Sequence, residues 1–126
     1  MNIPENLRYT DEHEWIEDLG DGTARIGITD FAQGELGDIV FVELEEPGFV
    51  LERNEPFGTI EAVKTVSELF SPIDGEILEW NLKLEDDPEL VNQDPYGDGW
   101  LVKIKYKDPA QIQSLLSADD YSERID

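Results

Sequence analysis

Turn residues recur along this chain at intervals too short for long helices, and that spacing restricts the fold more than any other feature. Asp18-Leu19-Gly20-Asp21-Gly22, Pro47-Gly48, Arg53-Asn54-Glu55-Pro56 and Asp74-Gly75 separate short apolar and β-branched runs. The pattern argues for a β-sandwich or barrel. Strands are expected over 13–17, 23–28, 39–45, 49–52, 76–82 and 100–106. In the last of these, Val102, Ile104 and Tyr106 alternate with Leu101, Lys103 and Lys105, which puts the lysines on a solvated face. Thr29 or Asp30 caps a short helix through Leu36, and Gly37 ends it. Residues 85–99 read as loop with one helical turn around Leu90.

The C-terminal part is helical, over about 109–124. Asp108 caps a helix with Pro109 at its first position, and Ser117-Ala118-Asp119-Asp120 has the form of a second capping box. Ile112, Leu115, Leu116 and Tyr121 are expected to pack these helices against the barrel. With a core of about 9–106, residues 1–126 are expected to form one domain, since the chain is too short for two ordinary ones.

The run from Phe57 to Phe70 is strand-like throughout, yet strands usually span about 5–6 residues. A bend near Val63–Thr65 follows, making a hairpin with Lys64 at its tip, although the bend lacks the Gly, Asn or Asp that tight hairpins prefer. Val63, Val66, Leu69 and Phe70 are expected to anchor it. Lys64 is the only basic residue between Arg53 and Lys83. A lone amine in such a place is best explained as a chemical handle. The plain alternative is a surface lysine paired with Glu61 or Glu68, a contact worth at most about 1 kcal/mol.

Charge narrows the partners. The chain has 31 acidic and 9 basic residues, a formal net charge of −22. Nucleic acid and anionic membrane surfaces are thereby excluded, since both need a basic face. The acids are spread along the whole chain, which favours adaptation to a salty cytoplasm over steering towards a basic partner. There is no cysteine, so disulfides and thiolate sites are absent. No apolar run approaches the ~20 residues of a membrane span, and Met1-Asn2-Ile3-Pro4-Glu5 resembles no leader. A cytoplasmic location is expected.

Other motifs fail on spacing. The run Asp94-Pro95-Tyr96-Gly97-Asp98-Gly99 starts like a calcium loop, but its twelfth position is Lys105 where a glutamate is needed. Gly20-Asp21-Gly22 precedes a strand and lacks the third glycine of a dinucleotide fingerprint. A single histidine, His13, leaves little room for a Ser-His pair and is read as a packing or hydrogen-bonding residue. No catalytic or metal-ligating set is expected.

Several stretches, in order, resemble one family. They include Tyr9-Thr10-Asp11-Glu12-His13-Glu14-Trp15, Ile26-Gly27-Ile28-Thr29-Asp30-Phe31-Ala32-Gln33 and Gly58-Thr59-Ile60-Glu61-Ala62-Val63-Lys64. Ser71-Pro72-Ile73-Asp74-Gly75-Glu76 and Val91-Asn92-Gln93-Asp94-Pro95-Tyr96-Gly97-Asp98-Gly99-Trp100-Leu101 continue the match. The chain is similar to the H proteins of the glycine cleavage system. That resemblance implies a barrel-sandwich hybrid of two antiparallel sheets, with a short helix after the second strand and a C-terminal helical segment. It implies lipoate amide-linked to Lys64 and a carrier that catalyses nothing alone. The implied partners are a pyridoxal-phosphate glycine decarboxylase, a tetrahydrofolate-dependent aminomethyltransferase, dihydrolipoamide dehydrogenase, and a lipoate ligase or lipoyl transferase. Glu61 and Gly75 match the family at fixed distances from the lysine and are assigned to recognition by the modifying enzyme. Glu14 and Glu68 are assigned to a cleft for the loaded, cationic arm. Glu12 and Glu35 stand where relatives often carry smaller or less acidic residues.

Rival readings stay open from sequence. A biotin carrier usually has methionines beside its lysine, where this chain has Val63 and Thr65. A lipoate relay protein, an unmodified interaction module of the same fold and an acid-rich hydrolase complete the set.

Overall fold

A computed structural model describes residues 2–125; Met1 and Asp126, the ends of the expected domain, lie outside the described residues. Among the described residues, nine strands form two antiparallel sheets. The larger sheet joins β1 (Arg8–Tyr9), β2 (Glu14–Asp18), β3 (Thr23–Ile28), β9 (Val102–Tyr106), β8 (Gly75–Trp80) and β5 (Val50–Leu51), in that order. The smaller joins β4 (Ile39–Leu44), β6 (Pro56–Ala62) and β7 (Val66–Phe70). Alternation explains the layering: Ile26 and Ile28, Ile77, and Val102 and Ile104 point into one interior with Ile60 and Leu69 of the other sheet. Each such side chain contributes about 1.5–3 kcal/mol by leaving water.

The local signals mark the helices well. Thr29 Oγ1 accepts the Ala32 N–H at 3.2 Å to cap α1 (Asp30–Leu36), and Gly37 ends it at φ +80°. Asp108 caps α4 (Pro109–Gln113), and the Asp120 N–H reaches Ser117 Oγ at the start of α5 (Ala118–Ile125). Two further single-turn helices, α2 (Lys83–Asp86) and α3 (Leu90–Gln93), lie between β8 and β9.

Several expectations need correction. The two-residue β1 was unforeseen, so α1 follows the third strand. The next strand starts at Glu14 because His13 has φ +66°, which breaks the extended run. Residues 83–86 form α2, with Leu84 buried, so helix replaces loop at the start of the 85–99 stretch, whose one expected helical turn around Leu90 is α3. Leu101 is fully buried although its alternation placed it with the lysines; β9 begins one residue later, and the Leu101 N–H bonds Ile26 O from outside the ladder. The C-terminal contacts are divided. Ile112 and Leu115 join the main interior, whereas Leu116 and Tyr121 close a second cluster with Leu7, Tyr9 and Trp15.

Candidate functional site

The β6–β7 hairpin forms where the sequence bends, and its tip holds Val63 and Lys64. Its pairing runs Glu61 to Val66, Ile60 to Ser67 and Thr59 to Glu68, and the Ala62 N–H bonds Thr65 O at 2.8 Å. Neither tip residue has positive φ, so this turn does without the Gly or Asn of a tight hairpin. An outside brace compensates: the Val63 N–H donates to Asp38 O, in the connection from α1 to β4, at 3.0 Å. Val63 and Val66 do not anchor the hairpin, being 76% and 60% exposed; Leu69, buried, and Phe70, half-buried, do.

Lys64 is exposed, and among the described residues it has no ion pair, with Glu61, Glu68 or any other acid. Its side chain runs across Gly37, where an added methyl group would lie 3.1 Å from Lys64 Cε and 3.6 Å from Nζ. The glycine thus serves both the helix stop and the lysine. An exposed amine on a braced tip fits the attachment of a long acyl arm.

A cleft of about 340 Å³ opens between α1 and the β6–β7 hairpin. Leu36, directly before Gly37, is part of its wall, with Ile28, Phe31, Ile60 and Leu69. Four carboxylates line it: Glu12, Glu14, Glu35 and Glu68. Apolar walls with acids among them suit an arm that is greasy along its length and cationic at its end. Glu14 and Glu68 thus share one cleft, and Glu12 and Glu35 line it with them. Glu61 stays outside the lining, exposed on the strand leading to the lysine. Gly75 is buried instead, at a point where a Cβ would meet Lys105 O at 2.5 Å.

Glu14 differs from the other three acids, which are exposed: it is only 2% exposed. Its Oε1 accepts from Thr10 Oγ1 at 3.0 Å and its Oε2 from the Phe70 N–H at 2.8 Å. Burial pushes its carboxyl up to about 8, against the lowering effect of those two bonds and with help from the Glu12 charge. His13 packs on Phe31 with ring centroids 4.8 Å apart and bonds the Tyr121 hydroxyl through Nδ1 at 2.9 Å. Among the described residues no group of three His, Cys, Asp or Glu could hold a metal ion.

No local signal in the chain announces the brace. Asn92 on α3 accepts the Ile39 N–H and donates to Gly37 O, tying down both neighbours of Asp38. In sequence it was only one residue of a longer matching stretch, and its partner Gly37 lies 55 positions away.

The glycine cleavage H-protein family model matches residues 7–126. The glycine cleavage system H protein of Chlorobium luteolum is 62% identical over 126 residues, covering 99% of this chain and 98% of that one. That of Bacillus cereus strain B4264 is 55% identical, covering 98% and 96%. The crystal structure of a glycine cleavage system H protein from Mycobacterium marinum superposes with a TM-score of 0.90 at 40% identity, covering 98% of each chain. With this fold, an exposed lysine on its braced hairpin and these matches, the chain belongs to the glycine cleavage H proteins, the lipoyl-carrying, non-catalytic subunits of the glycine cleavage system.

Proposed function

We propose that Lys64 is the residue that carries the lipoyl group, within a single domain spanning the chain. The observation that supports it is an exposed amine, free of ion pairs among the described residues, on a hairpin tip braced from Asp38. Attachment forms an amide between Nζ and an activated lipoyl carboxyl, with loss of the activating group and one proton. Once attached, lipoate supplies a disulfide that takes up a one-carbon amine fragment as it is reduced. The chain's own part is to present the arm and shelter its end.

Glu14 and Glu68 hold the cationic end of the loaded arm in the cleft. A buried, largely neutral Glu14 releases its proton as an ammonium approaches, because a nearby positive charge favours the carboxylate. Glu68, exposed at the rim, adds charge without an appreciable desolvation cost. Glu61 faces the modifying enzyme directly, whereas Gly75 serves recognition only through stability, by letting the strands of the large sheet pack where β8 begins. The partners are a glycine decarboxylase, an aminomethyltransferase, dihydrolipoamide dehydrogenase and a lipoate ligase or lipoyl transferase, met in the cytoplasm. The acid-rich surface suits a salty interior. No helix among the described residues is long and apolar enough to cross a membrane.

Intact-mass measurement with peptide mapping tests the attachment. Protein from its own cell is expected to carry one lipoyl amide on Lys64, and Lys64→Arg is expected to carry none while melting at an unchanged temperature. A lipoyl group mapped to another lysine, or unmodified protein in cells that cleave glycine, overturns the assignment.

A further inference from the structure

Asn92 spends its whole carboxamide on one short segment. Oδ1 accepts the Ile39 N–H at 2.9 Å; Nδ2 donates to Gly37 O at 2.9 Å and to Gln33 Oε1 at 3.0 Å. Gln33 is fixed in turn, donating to Asp30 Oδ1 at 2.7 Å. The residue between the two clamped positions is Asp38, whose carbonyl receives the Val63 N–H. One residue earlier, Gly37 is the surface over which the Lys64 side chain runs. The hairpin tip itself has only the Ala62–Thr65 bond to close it and no left-handed residue to set its turn. Its direction therefore depends on a segment that Asn92 holds.

We infer that Asn92 is a positioning residue for the attachment lysine: through the Gly37–Ile39 segment it fixes where the tip places Nζ for the modifying enzyme. This rests on Lys64 being the lipoylated residue. The carboxamide suits the task because an acceptor and two donors on one planar group satisfy an N–H and a C=O two residues apart. An aspartate keeps the acceptor but offers no donor, and an alanine offers neither.

The full-length chain and Asn92→Ala are lipoylated in vitro with lipoate, ATP and a lipoate–protein ligase, and site and rate are read by mass. Amide exchange at Val63 and Ile60 is followed in the same proteins. Asn92→Ala is expected to lower kcat/KM by about ten- to a hundredfold, the scale on which small misplacements act. Exchange at Val63 is expected to quicken while Ile60, in mid-strand, keeps its protection. Ile112→Val, which trims the main interior from α4, serves as the control for stability loss alone. If Asn92→Ala does not fold, Asn92→Asp, which keeps the acceptor for Ile39, is read the same way. Unchanged kcat/KM and Val63 exchange overturn the inference, as does a loss that Ile112→Val reproduces at equal stability. Wild-type chain that takes no lipoate at Lys64 defeats instead the attachment reading beneath it.

Discussion

The Glu14 carboxylate receives the backbone N–H of Phe70 at 2.8 Å, and so a buried acid of β2 holds the far end of the strand that descends from the Lys64 tip. The bond joins the large sheet to the small one at the edge of the cleft. It also makes the join titratable. Every approach of charge to the cleft is felt by a group whose proton is held chiefly by burial.

From this follows a pH dependence with a defined sign. The Glu14 carboxyl is raised in the folded protein, from 4.5 to about 8, so between these values the native state holds the extra proton. The stabilisation is therefore fully present below about 4.5 and lost as pH rises through about 8. The slope from this one group reaches at most about 1.4 kcal/mol per pH unit. Glu14→Gln keeps a carbonyl for the Phe70 N–H and removes the titration. Urea unfolding from pH 5 to 8 is expected to show a wild-type decline that the variant lacks; parallel curves would mean that Glu14 titrates normally.

The charge balance supports a second expectation. Against 31 acids stand only 9 basic residues, and the described residues contain two ion pairs, Lys83–Asp98 and Arg124–Asp11, both well exposed. Exposed pairs contribute about 0–1 kcal/mol each and leave the self-repulsion essentially uncompensated. Raising salt shortens the screening length from about 30 Å at 0.01 M to about 3 Å at 1 M. The melting temperature is expected to climb over that range of potassium chloride. A flat profile would remove salt adaptation as the reason for the acidity.

What the sequence discloses follows from how far each signal reaches. Caps act within one turn, so Gly37 and Asp108 are read directly and the cap of α1 narrows to Thr29 or Asp30, of which the structure uses Thr29. Alternation located β3 to the residue, from Thr23 to Ile28. The hairpin was legible only as strand too long to continue, because its support comes from Asp38, distant in sequence. Glu14 is named by the family resemblance, but its burial is hidden by its company: among so many acids, one buried carboxyl has no local mark. Burial of Glu14 comes from Phe70 and the sheet contact, which composition does not report.

Gly75 allows packing and recognition to be separated. It pairs with Leu51 on one side and Tyr106 on the other, inside the large sheet, and a Cβ there would lie 2.5 Å from Lys105 O and 3.4 Å from Ile104 Cδ1. The near atom is backbone in the ladder, so relief requires the strands to move. Gly75→Ala is expected to lose about 1–3 kcal/mol of stability, measured by urea unfolding. Its lipoylation, counted per folded molecule, is expected to keep the wild-type kcat/KM, because the buried position offers the modifying enzyme no side chain. Glu61→Gln should show the converse, with stability within about 0.5 kcal/mol of wild type, as for exposed sites, and a raised KM for the ligase. If Gly75→Ala slows lipoylation at full stability, the enzyme reads the backbone at β8, and the packing account of this glycine fails.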